Sequence, residues 1–131
     1  MDKMISAVRS VLSKYATFSG RASRPEFWWW VLAVFLILIA TSLIDGALIA
    51  PILGFSAFQP EAGQPLSVLV SLGIILPNIA VGVRRLHDTG KSGWWILIGL
   101  VPIIGTLVLI YFYVQPSEQA ANAYGSPVKL T

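Results

Sequence analysis

Charge is distributed along this chain in a way that leaves few folds open. Of the nine Lys and Arg residues, eight fall in two short segments, Lys3 to Arg24 and Arg84 to Lys91, beside three long apolar runs that carry almost no charge. The first run extends from Phe27 to Ile44 and continues past Asp45 to Ala50. The second is Leu66 to Val83, interrupted only by Pro77 and Asn78, and the third is Trp94 to Val114, with Pro102 and Gly105 near its middle. An α-helix rises about 1.5 Å per residue, so roughly 20 apolar residues cross the hydrocarbon of a bilayer. Each run is of that order. With 56% hydrophobic and 11% charged residues among 131, the chain is far more apolar than soluble domains, of which about 25% is charged. These features predict an all-α integral membrane protein. The net charge of +3 does not point to nucleic acid, because the cations flank membrane-length runs. Membrane lipids, with anionic head groups as counter-charge, are the expected partners. The absence of cysteine excludes disulfides and thiolate chemistry.

The chain reads as a single membrane domain, 1–131, with an interfacial amphipathic helix over 3–16, spans over 27–48, 66–86 and 94–114, and a polar tail over 115–131. Ile5, Val8, Val11, Leu12 and Tyr15 recur at helical spacing ahead of the first span. Cations precede span 1 and fill the loop after span 2, whereas the loop from Asp45 to Pro65 has none. The positive-inside rule therefore places the N-terminus and the Arg84 to Lys91 loop in the cytoplasm. Three full spans would put the tail outside. The alternative is a re-entrant hairpin at Pro102. Trp94 and Trp95 at one end of the third run and Tyr111 and Tyr113 at the other favour a span, as aromatic belts one hydrocarbon thickness apart.

Two polar segments carry the specific information. In Phe18-Ser-Gly-Arg-Ala-Ser-Arg-Pro-Glu-Phe-Trp28, Ser23 and Glu26 have capping-box spacing, with Pro25 in the first turn. Trp28, Trp29 and Trp30 follow as interface anchors, as do Trp94 and Trp95 before the third run. In Arg84-Arg-Leu-His-Asp-Thr-Gly-Lys-Ser-Gly-Trp94, Gly90 suits a left-handed helix stop and Ser92 a cap for the next helix. These segments resemble the signature regions of the domain of unknown function 805 family. The similarity runs from about Tyr15 to the tail, where Asn122, Tyr124 and Gly125 match a recurring pattern. The resemblance implies a bacterial inner-membrane location and a compact helical fold, and it brings no catalytic residues with it.

Catalytic and cofactor motifs fail on physical grounds. Gly90-Lys91-Ser92 ends like a phosphate loop, but the glycine that motif needs five residues earlier is Arg85. His87 beside Asp88 is half of a metal site without a second cluster, since it is the sole histidine. No cofactor or metal is expected. On the second run Ser67, Ser71, Asn78 and Gly82 lead to Arg85 along one helical stripe that should face protein, and Ser42, Gly46 and Ala50 form a small-residue ridge suited to a neighbouring helix. Each polar segment holds arginines and one carboxylate: Arg21, Arg24 and Glu26 in one, Arg84, Arg85 and Asp88 in the other. With His87 and Lys91 they form a candidate cytoplasmic patch, either a reciprocal ion-pair clasp or a site for a lipid phosphate. The leading reading is a non-enzymatic accessory or anionic-lipid-binding protein, with homo-oligomers or other membrane proteins as further partners. The alternative is an oligomeric small-solute transporter or channel subunit. A lipid-modifying enzyme built on His87 and Asp88 comes third.

Overall fold

A computed structural model describes residues 1–129. The described residues are helical, without strands, and fall into two compact units: Met1–Val31 with the chain from Leu76 onward, and Leu32–Ile75. The helices are α1 (Asp2–Ser13), α2 (Arg24–Ile44), α3 (Ala50–Ile52), α4 (Pro65–Asp88) and α5 (Ile104–Val114). A wide π turn over Asp45–Ile49 joins α2 to α3, so the helical stretch Arg24–Ile52 is unbroken. Pro51 lacks an N–H, and in a regular helix its ring would crowd the carbonyl of Ala47. A widened turn just before it relieves that contact. Arg24–Ile52 and Pro65–Asp88 are each long and apolar enough to cross a membrane. Their outer surfaces are apolar too, with Phe35, Leu36, Leu43, Leu69 and Leu72 among the exposed side chains. Water would not tolerate so continuous an apolar surface.

In the Leu32–Ile75 unit, Asp45 is buried and its carboxylate accepts the N–H groups of Leu66 at 2.9 Å and Ser67 at 2.8 Å. Those amides belong to the first turn of α4, where helix geometry leaves donors without partners and the dipole favours negative charge. Asp45 thus caps α4 from a distant part of the sequence. Ser67 Oγ donates to Thr41 Oγ1, joining α4 to α2, and Ser42 Oγ donates to Gln64 in the loop over 53–64 that leads into α4. The ridge of Ser42, Gly46 and Ala50 is covered by this loop. The ring of Phe58 rests on Gly46, where any Cβ would overlap it, and Phe58 N–H bonds the Gly46 carbonyl.

In the other unit, α1 buries Ala7 and Val11 and leaves Ile5, Leu12, Lys3 and Arg9 exposed. Gly90, at φ +79°, ends α4 in the left-handed conformation that its sequence suggests, and the Lys91 N–H returns to the Leu86 carbonyl. The third apolar run departs from expectation. It is not one helix over 94–114 but a 3-10 segment, Gly93–Leu100, a tight turn, and α5. Pro102 cannot donate to a helix and holds Val101 extended, at φ −82° and ψ 115°. Ile103 then reverses the chain at φ 67°, with the Ile104 N–H bonding the Pro102 carbonyl at 2.7 Å. The two legs touch where Gly105 meets Ile98, since a Cβ at 105 would overlap the Ile98 carbonyl. The aromatic groups expected on opposite membrane faces therefore share one end: Trp95 and Phe112 meet edge to face at 5.5 Å, and the Lys91 ammonium sits 4.8 Å from the Phe112 ring centre.

Glycine substitutions separate these contacts from simple helix propensity. Gly105→Ala should disrupt the hairpin and lower the melting temperature sharply in detergent, because the new methyl group meets backbone. Gly73→Ala, in α4 with nothing within 4 Å of the added atom, should leave stability unchanged or raise it by up to about 1 kcal/mol.

Candidate functional site

The two polar segments meet in a cluster of buried charge. Arg21, Arg84, Arg85, Glu26 and Asp88 are each at most 1% exposed. Ser23 starts the geometry by accepting the Glu26 N–H at 3.3 Å, one half of a capping box. The Glu26 carboxylate does not complete the box. It accepts instead from Ser10 Oγ of α1 and from Arg84 Nη1, both at 3.0 Å. Asp88, the last residue of α4, bridges two guanidinium groups: Oδ1 accepts from Arg21 Nε at 2.8 Å and Oδ2 from Arg85 Nη1 at 2.7 Å. The Ser117 hydroxyl donates to the same Oδ2.

Two carboxylates do not balance three guanidinium groups, and backbone carbonyls supply the remainder. Arg21 reaches the carbonyls of Asp88, Glu118, Ala120 and Gly125, at 3.2, 2.6, 3.0 and 3.1 Å. Arg85 donates to Tyr113 at 3.0 Å and to Gln115, and Arg84 to Thr17 at 3.1 Å. Several of these oxygens lie at the C-terminal ends of α4 and α5, where unpaired carbonyls and the helix dipole favour cations. One atom stands outside this accounting: Arg84 Nη2 is buried with no hydrogen-bond partner among the described residues.

Residues 15–126 match the family described as "Protein of unknown function (DUF805)". The chain belongs to that family. It is 36% identical over 121 residues to inner membrane protein YhaH of Escherichia coli strain K12, covering 92% of this chain and 93% of that protein. It is 40% identical over 120 residues to inner membrane protein YhaI of the same strain, covering 92% of each. A shorter match, 28% identical over 88 residues, is to protein translocase subunit SecY of Helicobacter pylori strain 26695; it covers 66% of this chain and 21% of that protein. No solved structure matches the chain significantly.

The other candidate residues have varied placements. Arg24 is exposed and donates to the Val114 carbonyl at 2.9 Å rather than to a carboxylate. Lys91 is half-buried over Phe112. His87 Nδ1 bonds the Gly20 carbonyl at 2.9 Å, and its ring stacks on Tyr124. Of the five tryptophans, Trp94 and Trp95 are exposed, whereas Trp28 and Trp29 are half-buried and Trp30 is buried. Trp28 Nε1 donates to the Tyr113 carbonyl and Trp30 Nε1 to Asn78 Oδ1 at 2.6 Å, so these two rings serve internal packing. Within the polar stripe, Gly82 receives Ile96 and the Tyr113 hydroxyl, Ser67 bonds Thr41, and Ser71 is half-buried. Arg84 and Arg85 are both buried, at 1% and 0% exposure.

The tail is the part of the site that residue patterns missed. Asn122 Nδ2 donates to the His87 carbonyl and to Glu118, the Glu118 N–H bonds the Asp88 carbonyl, and Asn122 and Gly125 pair through their backbones. Only the Asn122, Tyr124 and Gly125 pattern signalled it, because a carbonyl ligand can come from any residue.

Removing one partner of a buried pair strands the other charge, at a cost of about 3–5 kcal/mol. Glu26→Gln and Asp88→Asn should both lower thermal stability in detergent, with Asp88→Asn the more severe because two guanidinium groups lose an anion. Exposed Glu61 gives the control: Glu61→Gln should melt with the wild type. Equal melting of all three would show the pairs to be dispensable.

Proposed function

We propose that this protein is a non-enzymatic accessory protein of the bacterial inner membrane, built from two spanning helices and a re-entrant hairpin that a buried charge clasp holds at the cytoplasmic face. The observation that carries this reading is that the charged side chains of both signature segments, Arg24 and Lys91 apart, are held by one another, by Ser10 and Ser117 and by backbone, with Arg84 Nη2 the exception. Asp88 is bound by two arginines, and His87 is bound through Nδ1 and stacked on its face, an arrangement suited to holding a fold rather than transferring protons. The location follows that of the family relatives, which are inner membrane proteins.

The topology differs from the three-span expectation at one point. Carbonyls 113 and 115 bond Arg85, and carbonyls 118, 120 and 125 bond Arg21. Both ends of the third run therefore belong with the basic loop after α4, which the cation count assigns to the cytoplasm. On this reading the tail is cytoplasmic, like the N-terminus. Helix α1 docks on the clasp through Ser10 and presents Ile5, Leu12, Lys3 and Arg9 to the membrane surface, where cations on an amphipathic helix favour anionic lipid. The hairpin exposes Leu100, Ile103, Ile104 and Leu107 to lipid or to a membrane partner.

Because the chain has no cysteine, single-cysteine labelling tests this topology cleanly. With Asp2→Cys, Ala57→Cys and Ala121→Cys, a membrane-impermeant maleimide should reach positions 2 and 121 only from the cytoplasmic side and position 57 only from the opposite side. Labelling of position 121 from outside would restore a third span and overturn the re-entrant reading.

A further inference from the structure

The clasp leaves unused one atom of a buried, fixed side chain. His87 is 8% exposed, and its ring is held from two directions, by the Gly20 carbonyl at Nδ1 and by Tyr124, which lies parallel with centroids 3.9 Å apart. A carbonyl only accepts, so Nδ1 carries a proton, and the neutral tautomer with this bond has its lone pair at Nε2. Among the described residues none is hydrogen-bonded to Nε2. The tail turn that positions Tyr124, with Asn122 bonding both the His87 carbonyl and the Tyr124 N–H, makes this an ordered arrangement rather than an accident of packing.

His87 lines a cleft of about 560 Å³, within the range of about 300–1,000 Å³ found for small-molecule sites. Phe18, Val83, Ile96 and Leu97 supply apolar walls, and His87, Ser92, Trp94 and Tyr124 are the lining residues whose side chains carry polar groups. Gly93 keeps the approach open: a Cβ there would stand 3.4 Å from Nε2 and 2.6 Å from Val83 Cγ1. The Ser92 oxygen accepts the Trp94 N–H at 3.3 Å and retains its own proton for donation. The lining contains no Lys, Arg, Asp or Glu. A charged head group would enter this cleft without a counter-ion, which is unfavourable away from water, whereas a hydroxyl group can donate to Nε2 and accept from Ser92. Trp94 and Leu97, 79% and 51% exposed, open the cleft toward the hydrocarbon that the membrane reading places beside it.

We propose that this cleft binds a neutral, hydroxyl-bearing acylglycerol, with its chain along Val83, Ile96 and Leu97 and its head-group hydroxyl donating to His87 Nε2. The proposal rests on the membrane reading only for the source of the ligand. His87 is the sole histidine, so one imidazole gives one pair of nitrogen resonances. In phosphatidylcholine nanodiscs, titration with monooleoylglycerol should shift the Nε2 resonance saturably while Nδ1 keeps its protonated signature. Methyl oleate, which has the chain without a hydroxyl donor, should leave Nε2 in place. Gly93→Ala and Leu97→Trp both fill the cleft and should weaken the response by about tenfold or more, equivalent to about 1.4 kcal/mol. Leu97→Trp decides the matter if Gly93→Ala fails to fold. An equal response to methyl oleate, or an undiminished response in folded Leu97→Trp, would overturn the proposal. The titration does not depend on topology, so its failure leaves the membrane reading standing, and a contrary labelling result leaves the cleft standing.

Discussion

A guanidinium group taken out of water must find acceptors for its donors and a balance for its charge, and three such groups lie buried in one unit of this protein. Their demands explain features that otherwise look unrelated. Asp88 ends α4 where two guanidinium groups can share it, Glu26 abandons its capping role to meet Arg84, and several backbone stretches turn carbonyls toward the cluster. Lysine could not substitute, because the planar fork of arginine lets Arg21 bond five oxygens in different directions. The tail is thus a ligand of the clasp, and ordering it is offset by the acceptors it brings.

The hairpin belongs to the same account. Were residues 93 to 114 one helix, its ends would lie about 30 Å apart, and the carbonyls of Tyr113 and Gln115 would be remote from Arg85 in the last turn of α4. Pro102 and the reversal at Ile103 return the chain so that both ends of the run reach the cluster. Gly105 makes the return tight by removing the side chain that would separate the legs.

Much of this was legible in the sequence, and the remainder was not for identifiable reasons. Helix stops at Gly90, caps at Ser23 and Ser92, and the extent of the long apolar helices follow from local chemistry that a sequence displays directly. With one carboxylate in each polar segment, few pairings were open to Glu26 and Asp88. The hairpin was harder because proline is tolerated inside membrane helices; Pro77 sits within α4 while Pro102 ends its segment. What separates them is the tertiary demand on residues 113–115. The capping role of Asp45 was hidden, since nothing local reveals that Leu66 and Ser67 would return to it. Burial of Arg84 and Arg85 was likewise invisible, because a basic cytoplasmic loop ordinarily faces water or head groups.

Apolar packing gives helices little reason to prefer one another over lipid tails, so polar contacts take a larger share in fixing a membrane fold. Each unit here meets that condition in its own way, one with a carboxylate on a helix start and the other with a charge cluster on helix ends. The second arrangement couples structure to the proposed cleft. The Gly125 carbonyl that satisfies Arg21 belongs to the same turn that lays Tyr124 on His87. Loosening Arg21 therefore weakens one of the two supports of the His87 ring, and a ligand that fixes the ring is favoured by an intact clasp. Binding at Nε2 should thus stabilise the ion pairs without touching them, since a ligand that binds only the folded arrangement raises its stability.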